Sequence, residues 1–378
     1  MGLLASSNKK KQQETDYQVH WESLGGPSGT EYPPTAGYYL PAEWAEQSGV
    51  QLTWPHAGTD WCDMLDEAIA CFTEIARAVA ERELVLIVTP EPETVRTTLE
   101  TAGVRLQNIR FCQCPTDDTW ARDHGGITLL GENPPKILDF RFNGWGGKFP
   151  AENDNRITRS LFRAGLLHGE REDRDDFILE GGSIECDGKG NLLTTSRCLH
   201  AAPGRNEQYS LEEIENYLKE ALHVRRILWL NHGGIAGDDT DGHIDTLARF
   251  APDDTIIYVH CVNPQNPNYE ELRQMEQELQ QLRTETGTPY RLIPLPSPEI
   301  IRDTDGRILP ATYANFLIIN QAVLYPTYGQ SDYDRMARNA LAKAFPEYEL
   351  IGIDCRALIR QNGSLHCVTM QYPKGILR

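Results

Sequence analysis

Apolar positions at helical spacing alternate along the chain with short β-branched runs. The first helical set precedes the apolar run 84–88 and consists of Leu65, Ile69, Phe72, Ala76 and Val79. An i, i+3, i+4, i+7 pattern followed by a continuous apolar run predicts an amphipathic helix and then a buried strand. Similar pairs predict three more helices, over 211–222, around 268–284 and around 332–345.

The strands predicted after these helices are regularly spaced. Their starts at 226, 290 and 350 lie about 60 residues apart, and the first start, at 84, lies about two such intervals before 226. The run 137–142 supplies a strand for the missing interval. This period predicts repeated α/β units, packed either about a common axis or along one sheet. A doubly wound α/β sheet with units of similar size is the alternative.

The N-terminal region differs from the rest of the chain. Residues 1–36 are polar, contain several Gly and Pro residues and show no periodicity, so we expect a flexible leader. No later stretch has the composition of a linker, and we therefore expect 37–378 to form a single domain.

Composition narrows the classes of partner and compartment. The chain carries 36 Lys+Arg against 55 Asp+Glu, a formal charge of −19, which disfavours nucleic acid and anionic membranes and favours a small cationic partner. No apolar run approaches the ~20 residues that a transmembrane helix needs. The nine cysteines are dispersed without a CxxC pair, which predicts neither a zinc ribbon nor a disulfide framework. These features favour a cytoplasmic protein.

Five residues form a chemically suggestive set. Cys367 offers a soft nucleophile, His243 a proton shuttle, and Asp123, Glu180 and Asp245 three carboxylates, which suits attack on carbon in a cationic substrate. They recur at about the same 60-residue spacing, so side chains offered once per unit would converge on an axis. Taken singly, each has a structural explanation: a turn aspartate, a strand-end carboxylate or a buried strand cysteine.

Two other chemistries that use the same residue types were considered. The acidic segment 237–245 does not fit an EF-hand loop, and neither an HExxH motif nor a second histidine at ligand spacing supports a transition metal. Around Cys367 the papain signature is absent, and the order of cysteine and histidine is reversed. We therefore expect no metal and no cofactor.

Ordered motifs along most of the chain resemble those of one known family, the agmatine deiminase and bacterial-type peptidyl-arginine deiminase family of guanidino-group-modifying enzymes. They include Trp120-Ala121-Arg122-Asp123, Asn143-Gly144-Trp145-Gly146-Gly147-Lys148, Leu179-Glu180-Gly181-Gly182-Ser183-Ile184, Thr240-Asp241-Gly242-His243-Ile244-Asp245 and Ser364-Leu365-His366-Cys367. Two departures from the family pattern, at 361–365 and 45–48, remove none of the five residues.

The resemblance implies a fold and a role for each residue of the set. It implies a pentein-like α/β propeller of five pseudo-symmetric units with an axial active site. It also implies that Cys367 is the nucleophile and His243 the acid and base, with Glu180 orienting the histidine. Asp123 and Asp245 would bind the guanidinium, and Trp120 would line the pocket beside the substrate.

Several functions remain compatible with that resemblance. The first is hydrolysis of agmatine to N-carbamoylputrescine and ammonia through a covalent cysteine intermediate. Peptidyl-arginine or free arginine would use the same chemistry, and an amidinotransferase would replace water by an amine. A guanidine-binding protein without activity is the non-enzymatic alternative. The expected partner is a small cationic guanidine, and a homo-oligomer is left open.

Overall fold

Short strands and helices alternate through the part of the chain that the structure describes. The computed structural model describes residues 37–378, and the leader expected at 1–36 lies outside these residues. The strands are β1 Gln47–Thr53, β2 Leu84–Thr89, β3 Ile109–Gln113, β4 Ile127–Leu129, β5 Lys136–Arg141, β6 Glu170–Ile178, β7 Ile184–Cys186, β8 Asn191–Thr195, β9 Arg226–Leu230, β10 Ala248–Ala251, β11 Thr255–His260, β12 Arg291–Pro296, β13 Ile301–Arg302, β14 Ile308–Leu309, β15 Leu317–Ile319, β16 Ala322–Thr327, β17 Glu349–Asp354 and β18 Thr369–Pro373.

The helices include five of seven or more residues that connect parallel strands, and shorter turns that carry site residues. The α-helical segments are Leu65–Ala80, Pro92–Thr101, Ala121–His124, Gly144–Gly147, Ile157–Arg163, Leu211–Leu222, Tyr269–Gln281 and Ser331–Ala344. Single turns of tighter or wider helix are Cys62–Met64, Leu106–Asn108, Asp154–Arg156, Gly181–Ser183, Arg197–Ala201, Ile244–Thr246 and Leu358–Gln361.

One sheet topology recurs five times. In each small sheet a central strand pairs antiparallel with one neighbour and parallel with the other, and the central strands are β1, β5, β8, β11 and β16. A helix lies in the chain between the central strand and its parallel neighbour, as a parallel crossover requires. The prediction of repeated α/β units is confirmed. The alternative of one doubly wound sheet is wrong, because the strands form separate sheets.

Local sequence signals account for the regular elements. The helix Leu211–Leu222 starts at Ser210, whose side chain and that of Glu213 form both hydrogen bonds of the capping box. The helix Leu65–Ala80 buries the predicted apolar face, including Phe72 and Val79. The other predicted helix–strand pairs are also present, with bounds shifted by a few residues at most.

One predicted strand is wrong. The segment 362–369, which was expected to be a strand containing Cys367, is a turn that leads into β18. The amide nitrogens of His366 and Cys367 donate to the side chain of Asn315 instead of to a neighbouring strand, at 2.8 and 3.3 Å. A strand ladder cannot form where a side chain takes these donors.

The core brings the repeated units together at the candidate site. The largest cluster of buried apolar residues extends from Val50 in β1 to Val368 and includes Trp120 and Cys367. The nucleophile candidate is therefore packed into the main core. Within residues 37–378, no helix is both long and apolar enough to cross a membrane.

Candidate active site

The five predicted residues occupy equivalent places in the repeated units. Each lies in the segment just before the strand that pairs antiparallel with a central strand: Asp123 before β4, Glu180 before β7, His243 and Asp245 before β10, and Cys367 before β18. The extended conformation considered for 243–245 is not present, because Ile244–Thr246 forms a turn of 3-10 helix.

The unit that contains β15 contributes a residue that the sequence analysis missed. Asn315 lies just before β15, fully buried. Its Oδ1 accepts the two amide hydrogen bonds of His366 and Cys367 and lies 3.4 Å from the Cys367 Sγ. Its Nδ2 is 3.4 Å from the carbonyl oxygen of Asp245. The spacing signal could have found it, since the interval from 243 to 367 is about twice the period and lacked a candidate.

Asp245 lies beside the thiol and is held from behind. Its Oδ2 is 3.8 Å from the Cys367 Sγ and 2.8 Å from Nδ1 of His366. Its Oδ1 is buried and has no hydrogen-bond partner. Burial acts to raise the pKa of Asp245, but the hydrogen bond and charge of His366 lower it below its usual value. Asp245 is therefore an ionised carboxylate with one free oxygen.

Asp123 is fixed by two donors. Its Oδ2 accepts the indole N–H of Trp145 at 2.9 Å, and its Oδ1 accepts the amide of Gly182 at 3.0 Å. Trp145 adopts a left-handed backbone conformation, with φ 56° and ψ 51°, which is rare for a bulky residue. Burial raises the pKa of Asp123 to about 6, and the nearby Asp245 also raises it while His243 lowers it.

His243 lies between two carboxylates. Its Nδ1 is 3.7 Å from Asp123 Oδ1 and its Nε2 is 3.5 Å from Glu180 Oε2, and neither nitrogen makes a hydrogen bond within the described residues. Burial acts to lower the pKa of His243, but Asp123 and then Cys198 and Glu180 raise it well above its usual value. The imidazole is thus biased toward its charged form.

Glu180 is anchored by an arginine that the sequence analysis did not single out. Both of its oxygens lie 2.9 Å from Nε of Arg205, which also donates to Asp241. Burial acts to raise the pKa of Glu180, but His243 and Arg205 lower it below its usual value. Glu180 therefore presents a fixed negative charge to the imidazole.

The catalytic candidates converge on one point beside Gly182. A Cβ atom at Gly182 would lie 2.6 Å from Nδ1 of His243, 2.8 Å from Oδ1 of Asp123 and 3.1 Å from Oδ2 of Asp245. No side chain fits there. The glycine thus lets the backbone approach the three groups closely, which the sequence pattern had indicated for the Gly181-Gly182 pair.

A cavity of about 510 Å³, including its open mouth, leads to these groups. Cys367, Asp123 and Trp120 line it, whereas Glu180, His243 and Asp245 are fully buried behind them. The Trp120 ring packs against the Gly363 backbone so closely that a Cβ there would lie 2.0 Å from the ring. The other lining residues are Asp60, Asp118, Trp145, Phe149, Asp239, Thr240, Gln361, Asn362 and Gly363.

The Cys367 thiol is neutral in this environment. Burial, together with the charges of Asp245 and Asp123, raises its pKa well above the usual value of a thiol. A cation placed between the two carboxylates would reverse the sign of that local field. The thiolate, which is the nucleophilic form, is therefore favoured when a cationic substrate is bound.

One group of side chains near the imidazole has the composition of a metal site. Glu180, Cys198 and His243 each place one potential ligand atom within 4.8 Å of the others. Arg205, however, is a permanent cation that already contacts both oxygens of Glu180. Its charge opposes a metal ion at this place.

Comparison with known proteins places the chain in a family. The profile of the Porphyromonas-type peptidyl-arginine deiminase family matches residues 39–373. The agmatine deiminase of Stutzerimonas stutzeri is 32% identical over 373 residues, a match that covers 92% of this chain and 99% of the relative.

Solved structures agree with this match. A crystal structure from Porphyromonas gingivalis, described as a candidate arginine deiminase, superposes with a TM-score of 0.85 at 51% identity and covers 90% of this chain and 100% of its own. A substrate-bound variant of C. jejuni agmatine deiminase superposes with a TM-score of 0.82 at 38% identity, covering 90% and 98%. The chain thus belongs to the Porphyromonas-type peptidyl-arginine deiminase family, as the motif resemblance predicted.

Proposed function

We propose that the protein hydrolyses a guanidinium group to a ureido group and ammonia, as a hydrolase of C–N bonds in linear amidines. The observation that carries this proposal is the convergence of a thiol, an imidazole and two carboxylates at the floor of one cavity. Both nitrogens of His243 and Oδ1 of Asp245 are buried without partners. Unpaired buried polar atoms are costly, and their concentration here supports a site that a polar substrate completes.

The carboxylates suit the planar head group. A guanidinium presents five N–H donors in a fixed fork, and Asp123 and Asp245 offer acceptors on two sides of the Cys367 thiol. Each charge-assisted hydrogen bond contributes about 1.5–3 kcal/mol. Leaving one buried carboxylate unpaired would cost roughly 3–5 kcal/mol, so a neutral amide of the same shape would bind far more weakly.

The reaction follows from the positions of the groups. The Cys367 thiolate attacks the guanidinium carbon, and the protonated His243 gives its proton to the departing ammonia. This leaves an amidino-thioether on the sulfur. The now neutral His243 takes a proton from water as the water attacks the same carbon, and the ureido product leaves as the thiolate is expelled. Glu180 stabilises the charged form of the imidazole in each half-reaction.

Agmatine is the proposed substrate. Four aspartates line the cavity, Asp60, Asp118, Asp123 and Asp239, and its described lining includes neither Lys nor Arg. Agmatine carries a second positive charge at its far end, which this field attracts, whereas the carboxylate of free arginine would meet only negative charge. The curated relative from S. stutzeri and the C. jejuni structure are both described as agmatine deiminases.

Peptidyl-arginine is the second candidate. The matching family profile bears the name of peptidyl-arginine deiminases, and the P. gingivalis structure is described as a candidate arginine deiminase. A peptide has no carboxylate beside the arginine, so the acidic lining does not repel it.

The fold proposal concerns the arrangement of the repeated units. We propose a five-fold pseudo-symmetric propeller with the site on its axis. It is supported by the five sheets of like topology, each preceded by one site segment. Side chains from like positions of five units meet at one place when the units surround an axis.

A comparison of substrates tests the function. Ureido production is measured with agmatine, free arginine and an arginyl peptide at equal concentration, using the wild type and Cys367→Ala. We expect turnover of agmatine to be highest and the variant to be inactive. Peptide turnover far above agmatine turnover would overturn the substrate assignment, and no turnover of any guanidine would overturn the proposed function.

A further inference from the structure

His366 lies directly behind the site and contacts no cavity. It is fully buried, immediately before Cys367 in the chain, and its side chain points away from the thiol toward Asp245. Its Nδ1 is 2.8 Å from Oδ2 of Asp245. An ionised carboxylate can only accept, so Nδ1 carries the proton of this hydrogen bond.

The opposite nitrogen of the ring is held by a buried ionic cluster. Nε2 of His366 lies 2.9 Å from Oε1 of Glu43 and 3.1 Å from Nη2 of Arg249. A neutral ring accepts at Nε2 from Arg249, and a charged ring donates to Glu43. Nδ1 donates to Asp245 in both forms, so the orientation of the ring does not depend on its charge.

The cluster also fixes its own members. Glu43 forms ion pairs with Arg122 and Arg249, and Arg249 pairs in addition with the buried Glu185. Burial, Arg122 and Arg249 lower the pKa of His366, whereas Glu43 and Asp245 raise it. The charged groups facing the imidazole thus come from four different segments of the chain, which hold the ring rigidly.

This arrangement decides which oxygen of Asp245 is free. A carboxylate can rotate about its last torsion with little resistance, and a hydrogen bond to Oδ2 removes that freedom. With Oδ2 held by His366, Oδ1 remains as the unpartnered acceptor. The same bond stabilises the negative charge of Asp245 against the nearby Asp123, which would otherwise favour protonation of one of the pair.

We propose that His366 is a positioning residue of the deimination site, which fixes the orientation and the charge of the guanidinium-binding Asp245 from behind. The inference rests on the proposed function and deepens it. It predicts that His366 acts on substrate binding through Asp245 and not through the thiol. A merely structural histidine would affect folding without changing the protonation of the site.

The test compares His366→Ala with His366→Asn in the full chain. The amide nitrogen of asparagine can occupy the place of Nδ1, so this variant keeps the donor to Asp245, whereas alanine loses it. We expect kcat/KM for agmatine to fall roughly 10- to 100-fold in His366→Ala, mostly through KM. We also expect its acid limb to steepen and move to higher pH, because the Asp245 pKa rises. His366→Asn should recover most of both effects.

Two further measurements keep the outcome decisive. Binding of agmatine to Cys367→Ala and to Cys367→Ala/His366→Ala is measured by calorimetry, so that affinity is read without turnover. His260→Ala is the control, since His260 pairs with Glu276 at 3.1 Å and neither lines the cavity. An unshifted acid limb in His366→Ala, or no recovery in His366→Asn, overturns the inference alone. No turnover by the wild type overturns the proposed function as well.

Discussion

The indole nitrogen of Trp145 lies 2.9 Å from Oδ2 of Asp123. This hydrogen bond joins a tryptophan in a left-handed conformation to a buried carboxylate, whose pKa burial has raised to about 6. The bond partly offsets that rise, since it stabilises the ionised form. Asp123 must be ionised to bind a guanidinium, so its pKa sets the pH below which the site loses substrate.

The first prediction concerns this bond. Wild-type kcat/KM should fall as the pH drops through about 6, as Asp123 becomes protonated. Trp145→Phe keeps the ring but loses the donor, so the Asp123 pKa rises further and the acid limb moves to higher pH. We expect a loss of roughly 10- to 100-fold in kcat/KM at neutral pH. A pH–rate profile for agmatine provides the measurement.

A matched control exists elsewhere in the chain. Trp229 donates its indole N–H to Glu215 at the same 2.9 Å, and neither residue lines the cavity. Trp229→Phe should leave the acid limb in place. An equal shift in both variants would show that the change is not specific to Asp123.

The second prediction concerns Gly182. In Gly182→Ala the new methyl group would lie 2.6 Å from Nδ1 of His243 and 2.8 Å from Oδ1 of Asp123, so both groups must move. We expect turnover to fall roughly 100-fold, since small displacements of reacting groups have effects of that size. Overpacking should lower the free energy of unfolding by about 1–3 kcal/mol. Kinetics and denaturant unfolding measure the two effects.

The control for this substitution is Gly58→Ala. A methyl group there meets only the ring of His56, at 3.1 Å, on an exposed turn. Near-normal turnover in Gly182→Ala would contradict the convergence of the site at this glycine.

The third prediction separates two roles of Asn315. Asn315→Ala removes the acceptor that holds the amides of His366 and Cys367, which should loosen the turn and lower kcat by roughly tenfold or more. Asn315→Asp keeps an acceptor but places a negative charge near the sulfur, which is 3.4 Å from Oδ1. This charge should raise the thiol pKa further and shift the activity optimum to higher pH. Identical pH profiles for the two variants would contradict the assignment.

The fourth prediction concerns the acidic mouth of the cavity. Asp60 is exposed at its edge, and Asp60→Asn should raise KM for agmatine roughly two- to fivefold at low ionic strength, with less effect in high salt. Asp66→Asn makes the same charge change outside the cavity lining and serves as the control. Turnover of 1-butylguanidine, which lacks the second amine, should respond to neither. An equal response for the two substrates would mean that Asp60 does not sense the distal charge.

The sequence predicted the elements whose signals are local. The capping box of Ser210 and Glu213 located the helix Leu211–Leu222 to the residue, because both partners lie within one turn. The repeat spacing likewise placed the five site residues in like positions, since it reflects the length of one α/β unit. Their meeting at one floor is visible only in the structure.

What the sequence did not predict depends on distant partners. Nothing near Cys367 shows that Asn315, 52 positions earlier, would take its amide hydrogen and replace a strand by a turn. Arg205 and Trp145 were also missed as the partners of Glu180 and Asp123, since an arginine or tryptophan in a polar loop is usually a surface residue. Such contacts arise when separate units fold together.

The covalent intermediate on Cys367 is the central claim. The most direct test is acid quenching during turnover of agmatine, followed by digestion and mass spectrometry of the cysteine-containing peptides. The account predicts an amidino adduct of the substrate on the peptide that contains Cys367, and none on the peptide that contains Cys198. An adduct only on another cysteine, or undiminished ureido production by Cys367→Ala, would contradict it.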